Sequence, residues 1–148
     1  MCLKIDKSKH QLINEQSELD GYKCETTKTT KTVYKIFIIN IYGHLMTPIM
    51  GMILHTNHLN EGLFTDDTKF EDKTLSCVYD AIHAYTNVNE AISTLESFIR
   101  ADDFSTIIVP MYIPKGTKIW YGHNHTIAAQ KMCFKKDSKI RFKNNVLP

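Results

Sequence analysis

Residues 106–142 constrain the fold more than any other part of the chain. β-branched and aromatic side chains are concentrated in short runs there, and turn sequences separate the runs. Pro114 followed two residues later by Gly116 is typical of a type II turn. The pattern predicts a C-terminal antiparallel meander with strands at residues 106–113, 118–121, 126–135 and 139–142. Pro110 lies inside the first of these strands and predicts an edge position or a bulge.

Two earlier segments supply the rest of the predicted sheet. Residues 33–40 are almost continuously apolar, which is typical of a central strand that is buried on both faces. A shorter strand is predicted near residues 80–85. Its period of two places His83 and Tyr85 on the face opposite to Ile82 and Ala84.

One amphipathic helix is predicted at about residues 87–100. Thr86 or Asn87 is the expected N-cap, and Glu90 stands three residues beyond Asn87, as in a capping box. Apolar residues recur at helical spacing and predict one face packed on the sheet: Ala91, Ile92, Leu95, Phe98 and Ile99. The fold class is therefore α+β, an antiparallel or mixed sheet with one main helix and the C-terminal meander.

Length and composition favour a single domain over residues 1–148. The chain is 43% hydrophobic and 23% charged, which is typical of a globular protein and excludes a disordered one. Residues 1–32 are polar and are predicted to form a loosely structured N-terminal arm. The net charge of +2 makes nucleic acid an unexpected partner, and no apolar run is long enough to cross a membrane.

The four cysteines, at positions 2, 24, 77 and 133, are far apart and form neither a C-x-x-C motif nor a zinc knuckle. The charged residues near Met1 do not match a secretory signal peptide. Both observations favour an intracellular protein with free thiols, although they leave pairing of distant cysteines open.

Motifs for catalysis or metal binding are weak. His123 and His125 would share one face of a strand and are weak metal candidates, but the glycine and asparagine beside them favour a turn. Cys77 and His83 are candidates for nucleophilic catalysis without a diagnostic pattern, and a buried structural cysteine is the simpler interpretation. No cofactor is expected. The aromatic residues Tyr112, Trp120 and Tyr121 are expected to be exposed, where they could stack on a base or pack across strands.

The C-terminal strands resemble the closing strands of ADP-ribosyltransferase toxins of the actin-modifying, binary-toxin type. The resemblance is carried by Tyr112-Ile113-Pro114-Lys115-Gly116-Thr117-Lys118, Ala129-Gln130-Lys131-Met132-Cys133-Phe134 and Asp137-Ser138-Lys139. In that family a strand with a Glu-x-Glu motif follows the proline-lysine-glycine-threonine turn. Here Ala129 and Lys131 occupy the two glutamate positions, so the resemblance implies a shared fold without transferase activity.

The same resemblance implies where a ligand would bind. The family's early aromatic-arginine pair corresponds to Tyr34-Lys35, a weaker phosphate binder, and its Ser-Thr-Ser strand has no counterpart around Ala84-Tyr85-Thr86. The candidate ligand-binding residues are Tyr34, Lys35, His83, Tyr85, Trp120 and Gln130.

A second resemblance spans nearly the whole chain. Several short sequences, in this order, are similar to small uncharacterised proteins of gut bacteria, phages and large DNA viruses: Met1-Cys2-Leu3, Val33-Tyr34-Lys35, Thr47-Pro48, Ile82-His83-Ala84-Tyr85, Glu90-Ala91 and Ile113-Pro114-Lys115-Gly116-Thr117-Lys118. This similarity implies a viral or phage origin and carries no activity. A viral protein would act in the host cytoplasm or belong to the virion.

Three functions are consistent with these observations. The favoured hypothesis is a non-catalytic binding module for a nucleotide-like ligand or a host protein. The alternatives are a small structural, virion-associated protein and an ADP-ribosyltransferase-like enzyme with a degenerate active site. Because the catalytic carboxylates are missing, whether the protein is an enzyme stays open, and the balance is against it.

Overall fold

A computed structural model describes residues 3–13, 21–39, 42, 45–46, 60–61, 67–68, 77–78, 81–97, 105–134, 141–142 and 145–146. The strands, in chain order, are β1 (Leu3–Lys4), β2 (Tyr22–Lys23), β3 (Glu25–Thr26), β4 (Lys31–Ile39), β5 (Leu45–Met46), β6 (Asn60–Glu61), β7 (Asp67–Thr68), β8 (Cys77–Val78), β9 (Ile82–Tyr85), β10 (Ser105–Ile113), β11 (Lys118–Tyr121), β12 (Thr126–Ala129), β13 (Lys131–Phe134), β14 (Arg141–Phe142) and β15 (Asn145–Val146). A 3₁₀ turn spans Lys7–Lys9, and the helix α1 spans Val88–Ser97.

Antiparallel sheet dominates this fold, as the α+β prediction requires. Every pairing between the described strands is antiparallel, and eleven of those strands join one sheet. The pairings form a path from β13 through β10, β4 and β9 to β12. Since only Gln130 separates β12 from β13, the sheet must curl back on itself.

The curled sheet has an interior face that forms the main core. Its buried side chains alternate along each long strand, which is how a two-residue period selects one face. They are Val33, Phe37, Ile82, Ala84, Ile107, Val109, Met111, Ile113, Ile119, Ile127, Ala129 and Met132. The opposite face, here called the outer face, is covered at two places by separate apolar clusters.

Strand β4 lies at the centre of the sheet, as its apolar sequence predicts. It pairs with β10 from Lys31 to Ile39, with β9 at Tyr34 and with β5 at Ile38 and Ile39. This long ladder keeps the mainly apolar strand β4 away from the edge of the sheet.

Pro110 does not make β10 an edge strand. Strand β10 has β4 on one side, while on the other it pairs with β14 at Ile107–Ile108 and with β13 at Met111–Tyr112. Pro110 falls between these two short partners, outside the described pairings of β10 with either of them. The proline is therefore tolerated because the neighbouring strand changes there.

Helix α1 covers the outer face over β4, β9 and β10. Asn87 is its N-cap, since its side-chain oxygen accepts a hydrogen bond from the Asn89 N–H at 2.8 Å. Ala91 and Leu95 are buried in a cluster with Ile36, Tyr85 and Ile108. The cap and the packing face agree with the sequence, while Phe98, Ile99 and Arg100 lie outside the described residues.

The described part of the predicted N-terminal arm is ordered and covers the outer face over β11 and β12. Its buried side chains join those of the sheet in one cluster: Leu3, Ile5, Tyr22, Ala81, Trp120 and Ala128. His10 and Thr27 are also buried. A polar sequence can form this layer because Leu3, Ile5 and Tyr22 point inward and the buried polar residues His10 and Thr27 are hydrogen-bonded.

The predicted meander is found only in part. Strands β11 and β12 pair as a hairpin, joined by a turn in which Asn124 and His125 have φ of 56° and 59°. Two positive φ values are typical of a type I′ turn, which matches the twist of paired strands. Strands β10 and β11, by contrast, belong to different parts of the described sheet, so the Pro114–Thr117 turn is not a hairpin turn.

That turn is held by a residue distant in sequence. Gly116 has φ of +81°, as a type II turn requires at its third position. The Thr27 hydroxyl donates to the Pro114 carbonyl at 2.8 Å and accepts from the Thr117 N–H at 2.9 Å. The Gly116 N–H donates to the Thr27 carbonyl at 2.8 Å, so this one buried threonine fixes the turn.

Candidate functional site

Four of the six predicted ligand-binding residues meet where β4 and β9 separate. Tyr34 pairs directly with Tyr85, and this is the one register pair that the described β4 and β9 share. Further along, β4 pairs with β5 at Ile38 and Ile39. The intervening segment of β4 contains Lys35. We call the group formed by Tyr34, Lys35, His83 and Tyr85 the β4–β9 junction.

The Lys35 side chain links β4 to β9. It lies opposite Val109 in the ladder, on the interior face with Val33 and Phe37, and its side chain is only 5% exposed. Its ammonium donates to the His83 carbonyl at 2.5 Å and lies 5.7 Å from the centre of the Phe37 ring. A lysine in an apolar core is unusual because desolvation penalises its charge.

The polar contacts of Lys35 do not compensate this burial. An ammonium has three N–H donors, and within the described residues Lys35 uses one of them in a hydrogen bond. No ion pair to Lys35 is found in the same part of the chain, where the only salt bridge joins Lys9 and Asp6. Burial lowers the pKa of Lys35 from 10.5 to about 8. The ammonium therefore remains mostly charged at neutral pH, with hydrogen-bonding capacity to spare.

The other three residues of the junction lie on the outer face. Tyr85 is buried against α1 and Tyr34 packs at the edge of the same cluster. The His83 side chain alternates to this face as the sequence predicts, and it is half-buried. The junction therefore has a cation on the interior face of the sheet. It has two phenol rings and an imidazole on the outer face, where α1 covers Tyr85.

Trp120 and Gln130 do not join the junction. The register places Trp120 opposite Ala128, which in turn lies opposite His83, so Trp120 is two strands away on the outer face. Its side chain is fully buried, and the prediction that it is exposed is wrong. The N-terminal segment covers it, which the polar composition of that segment does not reveal.

Gln130 is half-buried between β12 and β13, and its N–H donates to the Lys118 carbonyl at 2.9 Å. The remaining aromatic candidates differ from Trp120 because Tyr112 and Tyr121 are half-buried. A hydrogen bond to Cys133 raises the pKa of the Tyr112 phenol. These three residues do not contact the junction among the described contacts.

His123 and His125 lie in the exposed turn between β11 and β12. Within the described residues no three potential metal ligands come together. Cys133 is a buried free thiol, while the side chain of Cys77 lies outside the described part of the structure.

The positions that correspond to the toxin glutamates hold no carboxylate. Ala129 is fully buried on the interior face, opposite Ile82 of β9. Lys131 is half-buried at the start of β13. A glutamate at position 129 would point into the apolar core, so these residues offer no group that stabilises a developing positive charge.

Sequence reasoning missed two buried polar residues, His10 and Thr27. Both lie in the segment predicted to be loose, and their partners are far along the chain: Tyr121 for His10, and Pro114 and Thr117 for Thr27. No local pattern could have identified them, because their environment depends on contacts across the sheet.

Comparison with known proteins gives no family for this chain. No family model matches it, no curated protein matches it and no solved structure matches it. Among the described residues, no helix is long and apolar enough to cross a membrane. Any functional argument therefore depends on the geometry of the β4–β9 junction.

Proposed function

We propose that this protein is a non-catalytic binding module that takes an anionic, nucleotide-like ligand at the β4–β9 junction. The observation that carries the proposal is the buried Lys35 ammonium, which has one hydrogen bond and no ion pair in the described part of the chain. Its charge is costly in the apolar interior unless a further acceptor arrives. A phosphate or carboxylate group would supply that acceptor.

The surroundings of Lys35 support a ligand with both charge and a flat ring. Strands β4 and β9 share one register pair, Tyr34 with Tyr85, directly beside Lys35, and the half-buried rings of Tyr34 and His83 lie on the other face of the sheet. Aromatic rings stack on bases without strong preference for one base. The resemblance to ADP-ribosyltransferase toxins is consistent with this ligand class.

The missing carboxylates argue for binding without reaction. Ala129 and Lys131 replace the glutamates that the resemblance requires, and Ala129 is enclosed by core residues. We place the protein inside the cell, in the host cytoplasm if it is viral. A host protein partner is a second form of the same binding hypothesis.

Thermal unfolding with a panel of NAD, ADP-ribose and cyclic nucleotides tests the proposal. A ligand present at 100 times its Kd adds about 2.7 kcal/mol of apparent stability, which raises the Tm by several degrees for a domain of this size. We expect such a shift with at least one nucleotide.

Two variants make the test specific for the junction. Lys35→Met removes the buried ammonium and is expected to abolish the shift. Lys31→Met removes a lysine four residues earlier on the same strand, where the side chain is half-buried, and is expected to keep it. A flat panel, or an equal shift in Lys35→Met, would overturn the site. NAD cleavage by the natural protein would overturn its non-catalytic character.

A further inference from the structure

The N-terminal segment closes the outer edge of β11. The Asp6 N–H donates to the Tyr121 carbonyl at 2.8 Å, and the His123 N–H donates to the Lys4 carbonyl at 3.2 Å. Ile5 also forms a bridge with Gly122. At the other end of β11, β3 pairs with Lys118 and Ile119. The peptide group of Tyr121 therefore depends on residues 5–10 for its hydrogen bonds.

His10 also bonds to the edge of β11, and it does so with its side chain, where a paired strand would use its backbone carbonyl. Its Nε2 accepts from the Tyr121 N–H at 2.9 Å, and its Nδ1 lies 3.0 Å from the Lys23 carbonyl oxygen. A backbone N–H can only donate and a carbonyl can only accept, so the geometry assigns the neutral tautomer with the proton on Nδ1. Protonation would place a second N–H against the Tyr121 N–H and break this bond.

The ring is enclosed, and its neighbours do not cancel the effect of burial. The centre of the Trp120 ring lies 4.9 Å from that of His10, and the side chain of His10 is only 8% exposed. Burial is the largest effect on the His10 imidazole and lowers its pKa below the ordinary 6.5. The hydrogen bond with the Lys23 backbone opposes that shift most, and Glu25 of β3, the Tyr121 backbone and Asp6 of the N-terminal segment oppose it less.

The remaining charged and titratable groups near His10 surround the two tyrosines. From the 3₁₀ turn and from β4, the ammonium groups of Lys9 and Lys31 lie 5.4 Å and 5.8 Å from the centre of the Tyr121 ring. From the same turn, the Lys7 ammonium lies 5.9 Å from the Tyr22 ring of β2. Cys24 packs at the edge of the cluster, and His123 of the β11–β12 turn interacts with Asp6.

We propose that His10 is a pH-sensitive latch, and that its protonation releases residues 3–13 from β11, which uncovers Trp120 and the edge of the sheet. The neutral ring holds the segment closed above pH 6.5. The released state binds the proton more tightly than the closed state. The population of the released state therefore rises as pH falls below 6.5. One proton limits the rise to tenfold per pH unit.

The fluorescence of Trp120, the single tryptophan, reports the opening. We expect acrylamide quenching of wild-type fluorescence to increase as pH falls from 8 to 5, while far-UV circular dichroism stays constant. His10→Gln can keep one donor and one acceptor without a titrating ring, and it is expected to give constant quenching. His123→Gln removes an exposed histidine of the neighbouring turn and is expected to behave as the wild type.

Constant quenching in the wild type, or an equal pH response in His10→Gln, would overturn the latch. Amide hydrogen exchange of the wild type tests the latch independently if His10→Gln does not fold. The protection factor of the Tyr121 amide, which is corrected for the intrinsic effect of pH, is expected to fall below pH 6.5 while that of the core residue Ile108 stays constant. A parallel fall at both amides would mean global unfolding and would also overturn the proposal.

Discussion

The two faces of the sheet each bury one basic side chain, and they treat it in opposite ways. On the outer face, His10 has a partner for each ring nitrogen and is neutral. On the interior face, the Lys35 ammonium donates one hydrogen bond in the described part of the chain and sits against the Phe37 ring. Both pKa values are lowered by burial. The satisfied group stabilises the fold, whereas the under-satisfied group is a cost that points to function.

Removing the packing that encloses His10 should have the largest effect. Trp120→Ala deletes a fully buried indole and is expected to cost about 3–5 kcal/mol of unfolding free energy in denaturant titrations. Tyr42→Ala is the matched control, because Tyr42 is 77% exposed and its loss should change stability by less than about 0.5 kcal/mol. Similar costs for the two variants would show that the outer face is not a packed core.

The cost of Lys35 should appear as a pH dependence. Since its pKa is about 8 when folded and 10.5 when unfolded, the folded state is penalised below pH 8 and the penalty disappears as pH rises to 10.5. Relative to Lys35→Met, the wild type should gain about 3 kcal/mol over that range. Denaturant titrations at several pH values measure this difference.

Lys31→Met is the control for that experiment and should keep the wild-type pH dependence. An identical pH profile for Lys35→Met and the wild type would contradict a buried, under-satisfied ammonium. It would also remove the observation on which the proposed ligand site depends.

Thr27 tests, on an uncharged group, whether a buried polar side chain with hydrogen-bond partners stabilises the fold. Thr27→Val keeps the shape of the side chain but leaves the Thr117 N–H without its acceptor and removes one of the two hydroxyl donors to the Pro114 carbonyl. We expect a loss of about 1–3 kcal/mol, seen as a lower midpoint of denaturation with an unchanged m-value. Thr94→Val, on α1, is the control, since the Thr94 hydroxyl donates to the Glu90 carbonyl one turn earlier in the same helix. If Thr27→Val leaves the free energy of unfolding unchanged, stability measurements cannot distinguish satisfied from unsatisfied polar groups in this protein.

Local sequence determined the elements whose causes are local. The Asn87 cap, the apolar face of α1, the positive φ of Gly116 and the central strand β4 all follow from residue types at fixed spacing. The alternation in β9 likewise predicts that Tyr85 lies on the face opposite to Ile82 and Ala84, as the structure has it. These features need no knowledge of what lies across the sheet.

Only the tertiary structure decided which strands become neighbours and which polar groups become buried. Strand β10 accepts Pro110 because its partner changes from β14 to β13 there, and Trp120 is buried because a distant polar segment folds over it. His10 meets Tyr121 across 111 positions of sequence. Burial and hydrogen bonding of this kind are set by long-range pairing, whose register no short sequence window contains.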